Sequence, residues 1–383
     1  MKCHLLLPVA LLLMMLLVAF STGILLFHML SVLLFLLMIG GFFSVLRAAR
    51  TMTVSAEVSD RTVKRGEDVM LVLSVQHRGL LPIAPVILRL AFPSGADREI
   101  RLRDLPGRRQ TLRMPIHAAH VGAFSVGIRS CTVEDLLGFF EQTINLERSL
   151  YQLVILPRTF DTEPLTLSPG DPGSEMMARA TEDLNAPSDV RSYQPGDAMK
   201  KIHWKLSLRK GELMVRKFDE PVLQDVLIIV DCSPPPALGH PQAEADVRDA
   251  LLETAASVYA DQLKTDHIIH LPLPGTHPVD LERSTGLALA FDDLARVDFS
   301  ATDRFERVLM MESRRLRKVG CTVVISARLT SGMVDMMIQM HRMGPNLRFY
   351  LITFTPEDPG LIPLLSRLRR TVIEVVFITP DPG

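Results

Sequence analysis

The sequence predicts a multidomain chain. A two-helix transmembrane hairpin over residues 1–50 leads into an all-β sandwich over 51–157, and a linker over 158–220 leads into a doubly wound α/β domain over 221–383. Three observations carry this expectation. No Asp, Glu, Lys or Arg occurs between Lys2 and Arg47. Apolar and polar residues then alternate in short runs punctuated by Gly or Pro. From Pro221 onward, short apolar runs are separated by stretches long enough for helices.

The charge-free stretch divides into two apolar runs, residues 5–22 and 24–46. Each approaches or exceeds the roughly 20 residues a helix needs to cross a hydrocarbon core of about 30 Å. Ser21, Thr22 and Gly23 supply the turn between them. A cleaved signal peptide carries an apolar region of only about 7–15 residues, which the second run exceeds. A core helix of a soluble domain shows a polar face, which neither run has. Lys2 precedes the first run, Arg47 and Arg50 follow the second, and the turn is uncharged. Cations near membrane ends stay in the cytoplasm, so both ends, and the body that follows, are expected on the cytoplasmic side of the inner membrane. Cys3, Cys131, Cys232 and Cys321 lie far apart without CxxC spacing, as reduced thiols do.

Composition excludes little else. Lys and Arg number 42 against 43 Asp and Glu, so no basic excess points to nucleic acid. In the second region, Val54, Ala56 and Val58 alternate with polar residues, as do Val69, Leu71, Leu73 and Val75. Val86, Leu88, Leu90 and Phe92 repeat the pattern, and so do Leu112, Met114 and Ile116. Gly66, Gly79, Pro93 and Gly107 separate the runs, the pattern of a small sandwich. His117 and His120 lack a third ligand at metal spacing and read as surface residues.

In the last region the strand candidates are residues 225–231, 266–273, 321–326, 347–354 and 372–379. Helix-length stretches lie between them at 242–263, 281–294, 302–319, 331–343 and 361–369. Apolar runs alternating with helices predict a parallel sheet covered on both faces, with ligands expected beyond the carboxyl ends of its strands. There the chain reads Asp231, Cys232, Ser233, Pro234, Pro235. Two oxygen side chains two residues apart suit a hard cation such as Mg²⁺. The arrangement resembles the metal-ion-dependent adhesion site of von Willebrand factor type A domains. Asp231 and Ser233 match its Asp-x-Ser-x-Ser pattern, and Thr302 stands for its Thr. Pro235 replaces the second Ser, and Ala327 and Arg328 stand where a later Asp is expected. The set is short of two oxygens and has a cation beside it, so no resident cofactor is expected, Mg²⁺ being the ion it would take.

Residues 189–221 are the most distinctive stretch. They hold the single Trp, Trp204, and the cations Lys200, Lys201, Lys205, Arg209, Lys210, Arg216 and Lys217. The stretch resembles the signature of the domain of unknown function 58 family. The matches are Arg191, Tyr193, Pro195, Gly196 and Asp197, then Ile202, Trp204 and Lys205, then Leu213, Val215 and Arg216. His203 stands where the family has Asp. Residues 120–141 are similar to the family's Arg-Gly-x-Tyr and Asp-Pro-Phe-Gly-Leu-Phe segments, with Leu136 for Pro and Phe139 for Leu. The resemblance implies two amino-terminal spans, a β-rich middle and a type A-like end. Family genes often neighbour those of a MoxR-type ATPase and a transglutaminase-like membrane protein, which implies a role in assembling or regulating a complex.

The signature admits a structural reading, with Trp204 as a core anchor, and a functional one, with the cations binding a phosphate, an acidic partner or anionic lipid. No Walker loop, HExxH pair or GxSxG elbow occurs. The expectation is therefore a membrane-anchored adaptor, not an enzyme, that binds a protein such as a MoxR-type ATPase through a degenerate type A-like domain. The alternative is a cation-dependent or phosphate-binding enzyme centred on Asp231 and the basic segment.

Overall fold

The computed structural model describes residues 2–3, 6–77, 86–93, 95–102, 109–167, 189–194, 199, 202–217, 225–265, 267–274, 286–301 and 303–381. The chain divides into two compact units, residues 1–157 and 158–382.

In the first unit a two-residue strand, β1 (Lys2–Cys3), precedes α1 (Leu6–Thr22) and α2 (Leu25–Thr51). The 27 residues of α2 give a rod of about 40 Å, and it is the helix long and apolar enough to cross a membrane. Only 22% of its apolar window is buried, so it is no core helix. At 17 residues, α1 falls short of the length expected of a first span. Ser21 and Thr22 belong to the last turn of α1, each donating its hydroxyl to Val18 O. Gly23, at φ 62°, and Ile24, in an extended conformation, make the reversal.

Nine strands follow: β2 (Met52–Val58), β3 (Thr62–Lys64), β4 (Asp68–His77), β5 (Val86–Ala91), β6 (Arg98–Leu102), β7 (Arg109–His117), β8 (Gly122–Glu134), β9 (Phe140–Asn145) and β10 (Tyr151–Leu156). One sheet has the order β2-β4-β7, and the other runs β1-β9-β8-β10-β3 with β5 and β6 joined through β8. Val69, Leu71 and Leu73 of the first sheet and Val86, Leu88 and Leu90 of the second are buried in one core, the inward faces that alternation predicts. β8 carries the second sheet and contains a β-bulge. Opposite it, Arg89 pairs Ser130 and Leu90 pairs Ile128, so Arg129 is the extra residue.

In the second unit, residues 158–167 form no regular element but lie along one face of a long helix. They are followed by a small module of β11 (Asp189–Ser192), α3 (Trp204–Lys210) and β12 (Met214–Lys217), in which β11 and β12 pair antiparallel. The remainder is a five-stranded parallel sheet. Its elements are β13 (Asp225–Val230), α4 (Pro241–Lys264), β14 (Ile269–His270), α5 (Gly286–Ala295), α6 (Phe305–Glu312), β15 (Val319–Ser326), α7 (Ser331–Arg342), β16 (Asn346–Ile352), α8 (Ile362–Arg370) and β17 (Glu374–Ile378). A 3₁₀ stretch, Ser313–Lys318, links α6 to β15. Every residue of β13 and β15 is buried, as strands covered on both faces must be.

The face of α4 that receives residues 158–167 presents Glu253, Ser257 and Asp261, each four residues on from the last. Arg158 Nε donates to Glu253 at 3.0 Å, Phe160 N to Ser257 Oγ at 3.0 Å, and Thr162 N and Oγ1 to Asp261 Oδ2 at 3.0 and 2.6 Å. Further along, Arg348 donates to the carbonyls of Glu163 and Pro164. The stretch is thus hydrogen-bonded to the sheet's own helix and strand.

Candidate functional site

The parallel sheet has the order β14-β13-β15-β16-β17, or 2-1-3-4-5 in chain order. Strand order reverses between β13 and β15, and the carboxyl ends of these two strands flank the crevice where such sheets take ligands. Asp231 follows β13 directly and is 2% exposed. Its backbone N–H bonds Ile325 O at 2.9 Å, extending the ladder by one step. The side chain then turns across to the neighbouring strand. Oδ1 accepts Ser233 N at 3.1 Å, and Oδ2 accepts the Ser326 hydroxyl at 2.7 Å.

Arg328 completes the group. Its Nε lies 3.4 Å from Asp231 Oδ2, an ion-pair distance and a long one for a hydrogen bond. Its Nη2 donates to Pro234 O, and its backbone N–H donates to Ser326 Oγ at 3.1 Å. The guanidinium ties the two strand-end loops together and meets the one charge buried between them. Beyond it, the Thr330 hydroxyl donates to Glu306 of α6 at 2.6 Å and accepts Met333 N, capping α7. That bond, with the Arg304 and Arg328 charges, holds the Glu306 carboxyl below its ordinary value against the opposing effect of burial. Cys232 is buried, and burial together with the Asp231 charge pushes its thiol up to about 12. It is a neutral thiol at physiological pH, neither nucleophile nor metal-ligating thiolate. Burial likewise raises Cys131 and Cys321 to about 12.

Of the proposed metal set, Asp231 and Ser233 are joined through a local turn. Thr302 lies outside the described residues, although Asp303 and Arg304 next to it lead into α6. Ser326 and Glu306 were not singled out from sequence. Ser326 carries no motif of its own, and only the pairing of Val230 with Ile325 brings it beside Asp231.

The signature residues form the small module. Arg191 and Val215 pair across β11 and β12, Tyr193 N bonds Leu213 O at 2.8 Å, and Ile202 is buried beside Val215. Pro195, Gly196, Asp197, Lys200 and Lys201 lie outside the described residues, and Arg216 is placed by its backbone pairing with Val190. Trp204 is 56% exposed, so it is not a core anchor. On a helix turning about 100° per residue, Trp204 and Leu208 form one exposed stripe and Lys205 and Arg209 the next, while Ser207 faces inward. His203 caps α3, its Nδ1 accepting Leu206 N at 3.3 Å. A bare imidazole nitrogen serves there as the N-cap acceptor.

Comparison with known proteins agrees with the module. An uncharacterised protein of Bacillus subtilis (strain 168), YeaD, is 21% identical over 193 residues, which are 48% of this chain and 48% of that protein. The chain thus spans about half the length of this curated relative. Among solved structures, a CARDB domain from Pyrococcus furiosus is 13% identical and covers 27% of this chain and 91% of its own, at a TM-score of 0.20. Spo0M, a sporulation control protein from Bacillus subtilis, is 13% identical and covers 38% of this chain and 58% of its own, at 0.18. Likenesses that distant carry no argument. The family described as protein of unknown function DUF58 matches over residues 189–344, from the signature module to the end of α7. Residues 189–344 are thus similar to the DUF58 family over the signature module and most of the parallel-sheet domain.

Proposed function

We propose that the protein is a membrane-anchored adaptor whose docking face is the carboxyl edge of the parallel sheet. α1 and α2 form a two-span hairpin with both ends on the cytoplasmic side. The two sheets of the first unit form a β-sandwich stem, and the parallel sheet is a degenerate type A-like domain. Its partner is a protein, with a MoxR-type ATPase the class that the family resemblance favours. The observation carrying this reading is Arg328 lying against the buried carboxylate of Asp231. Type A domains recruit partners through a cation at this place. Here a fixed side chain supplies the positive charge, and a divalent ion facing the same oxygen would have to displace it. The face is accordingly ready to bind without metal, and Cys232 as a neutral thiol adds no nucleophile.

The test is affinity purification of the tagged full-length protein from its native membrane, comparing wild type with Asp231→Ala and Arg328→Glu, with and without chelator. The expected result is a MoxR-type ATPase recovered equally with chelator and lost in both variants. Loss on chelation alone would restore the metal-dependent reading. Recovery from both variants would remove the strand-end face from the interaction.

A further inference from the structure

The turn joining β8 to β9 carries apolar residues at its tip, and several of its backbone groups are bonded within the turn. Asp135 N bonds Phe140 O at 3.1 Å and Gly138 N bonds Asp135 O at 3.1 Å. The Asp135 carboxylate, 3% exposed, takes Phe140 N at 2.7 Å and Leu137 N at 3.2 Å. Gly138 supplies the left-handed residue at φ 72°. What remains outward is Leu136, 64% exposed, and Leu137, 49% exposed. Singly exposed leucines are ordinary; the position of these two is not.

β1 pairs antiparallel with β9, Lys2 opposite Glu141 and Cys3 opposite Phe140. β1 therefore runs along β9 toward the turn. α2 passes the turn at Asp135. A Cβ at Gly41 would lie 3.0 Å from Asp135 Oδ2, and the Phe42 and Phe140 rings sit edge to face at 5.6 Å. Sixteen residues separate Leu25 from Gly41, about 24 Å of helix, inside a hydrocarbon core of about 30 Å. The first cation, Arg47, comes six residues later, about 9 Å on.

We infer that the β8–β9 turn dips into the bilayer that α2 crosses, with Leu136 and Leu137 among the lipid acyl chains at the near interface. Unpaired backbone groups are costly in that region; here the Asp135 carboxylate takes up the Leu137 and Phe140 N–H groups, and the groups left over fit the turn to the interface and not to the bilayer centre. The body is then held at two places, the helical hairpin and the turn, and Gly41 is the close approach that brings them level. The inference rests on α2 spanning the membrane, and the experiment separates the two.

Trp204 is the single tryptophan, so a Trp204→Phe background permits one reporter at a time. Full-length protein is placed in nanodiscs of phosphatidylcholine and phosphatidylglycerol, with or without brominated acyl chains, carrying Leu33→Trp on α2, Leu136→Trp or Leu137→Trp. The expected result is blue-shifted emission and bromolipid quenching at all three positions. Quenching at residue 33, with both turn reporters quenched by aqueous iodide and not by bromolipid, overturns the inference and leaves the span intact. Absence of bromolipid quenching at residue 33 overturns both.

Discussion

Two aspartates, one in each unit, follow a β-strand and are almost wholly buried, yet their surroundings differ in kind. Asp135 is satisfied by its own turn, since both hydrogen bonds to its carboxylate come from backbone N–H groups within five residues. Asp231 has one such local bond, from Ser233 N. Its other oxygen takes a hydroxyl and faces a guanidinium, both from the far side of a strand pairing and some 95 residues away in sequence. A carboxylate closed by its own turn shapes the chain. One closed by side chains from another strand sets charge against charge at the carboxyl edge of the parallel sheet. Sequence alone offers little to separate them, because each reads as a strand-end Asp before a turn.

The largest effect is expected at Arg328. Removing it leaves the Asp231 carboxylate buried without its counter-charge. Because the guanidinium is 37% exposed, the cost is discounted from that of a fully buried pair to about 2 kcal/mol. A double-mutant cycle of Arg328→Ala with Asp231→Asn, read by thermal unfolding in detergent, should show that most of this is shared coupling. Independent effects would make Arg328 a bystander and dissolve the contrast. Asp135→Ala should cost about 1.5 kcal/mol through its two lost N–H acceptors. No cation substitution elsewhere should couple to it, and a coupling comparable with that of Arg328 would make the two aspartates alike after all.

The smallest effect is pH-dependent and sharpens the description of the Arg328 loop. Glu306 titrates below its ordinary 4.5 because Thr330 and nearby cations favour its charged form. The stabilisation is complete above about pH 4.5 and is lost as pH falls through the lower folded value. Thr330→Val should therefore cost about 1 kcal/mol or more at neutral pH, and the gap from wild type should narrow in acid to the part that belongs to the α7 cap. A gap independent of pH would assign the loss to the α7 cap alone.

Much of the parallel sheet was legible, and for one reason. Strands buried on both faces need unbroken apolar runs, and the runs at 225–231, 321–326 and 347–354 became β13, β15 and β16. The first unit was legible where alternation is regular, as along β4 and β5. β8 escaped because its bulge changes the parity of its inward residues, from Val126 and Ile128 to Cys131 and Val133. The charge-free amino terminus gave α1 within a residue of its apolar run, while α2 continues past Leu46 through Arg47 and Arg50 to Thr51.

The sequence by itself determined the long apolar helix, the parallel α/β end and the signature that resembles the DUF58 family, because each depends on residue type and short-range spacing. The tertiary structure alone decided that Ser326 and Arg328 meet Asp231, that Trp204 stays exposed, and that Asp135 of the β8–β9 turn meets Gly41 of α2. Those facts depend on which strands pair and in what register, and register is fixed by the sum of contacts across the fold and not by any local run of residues.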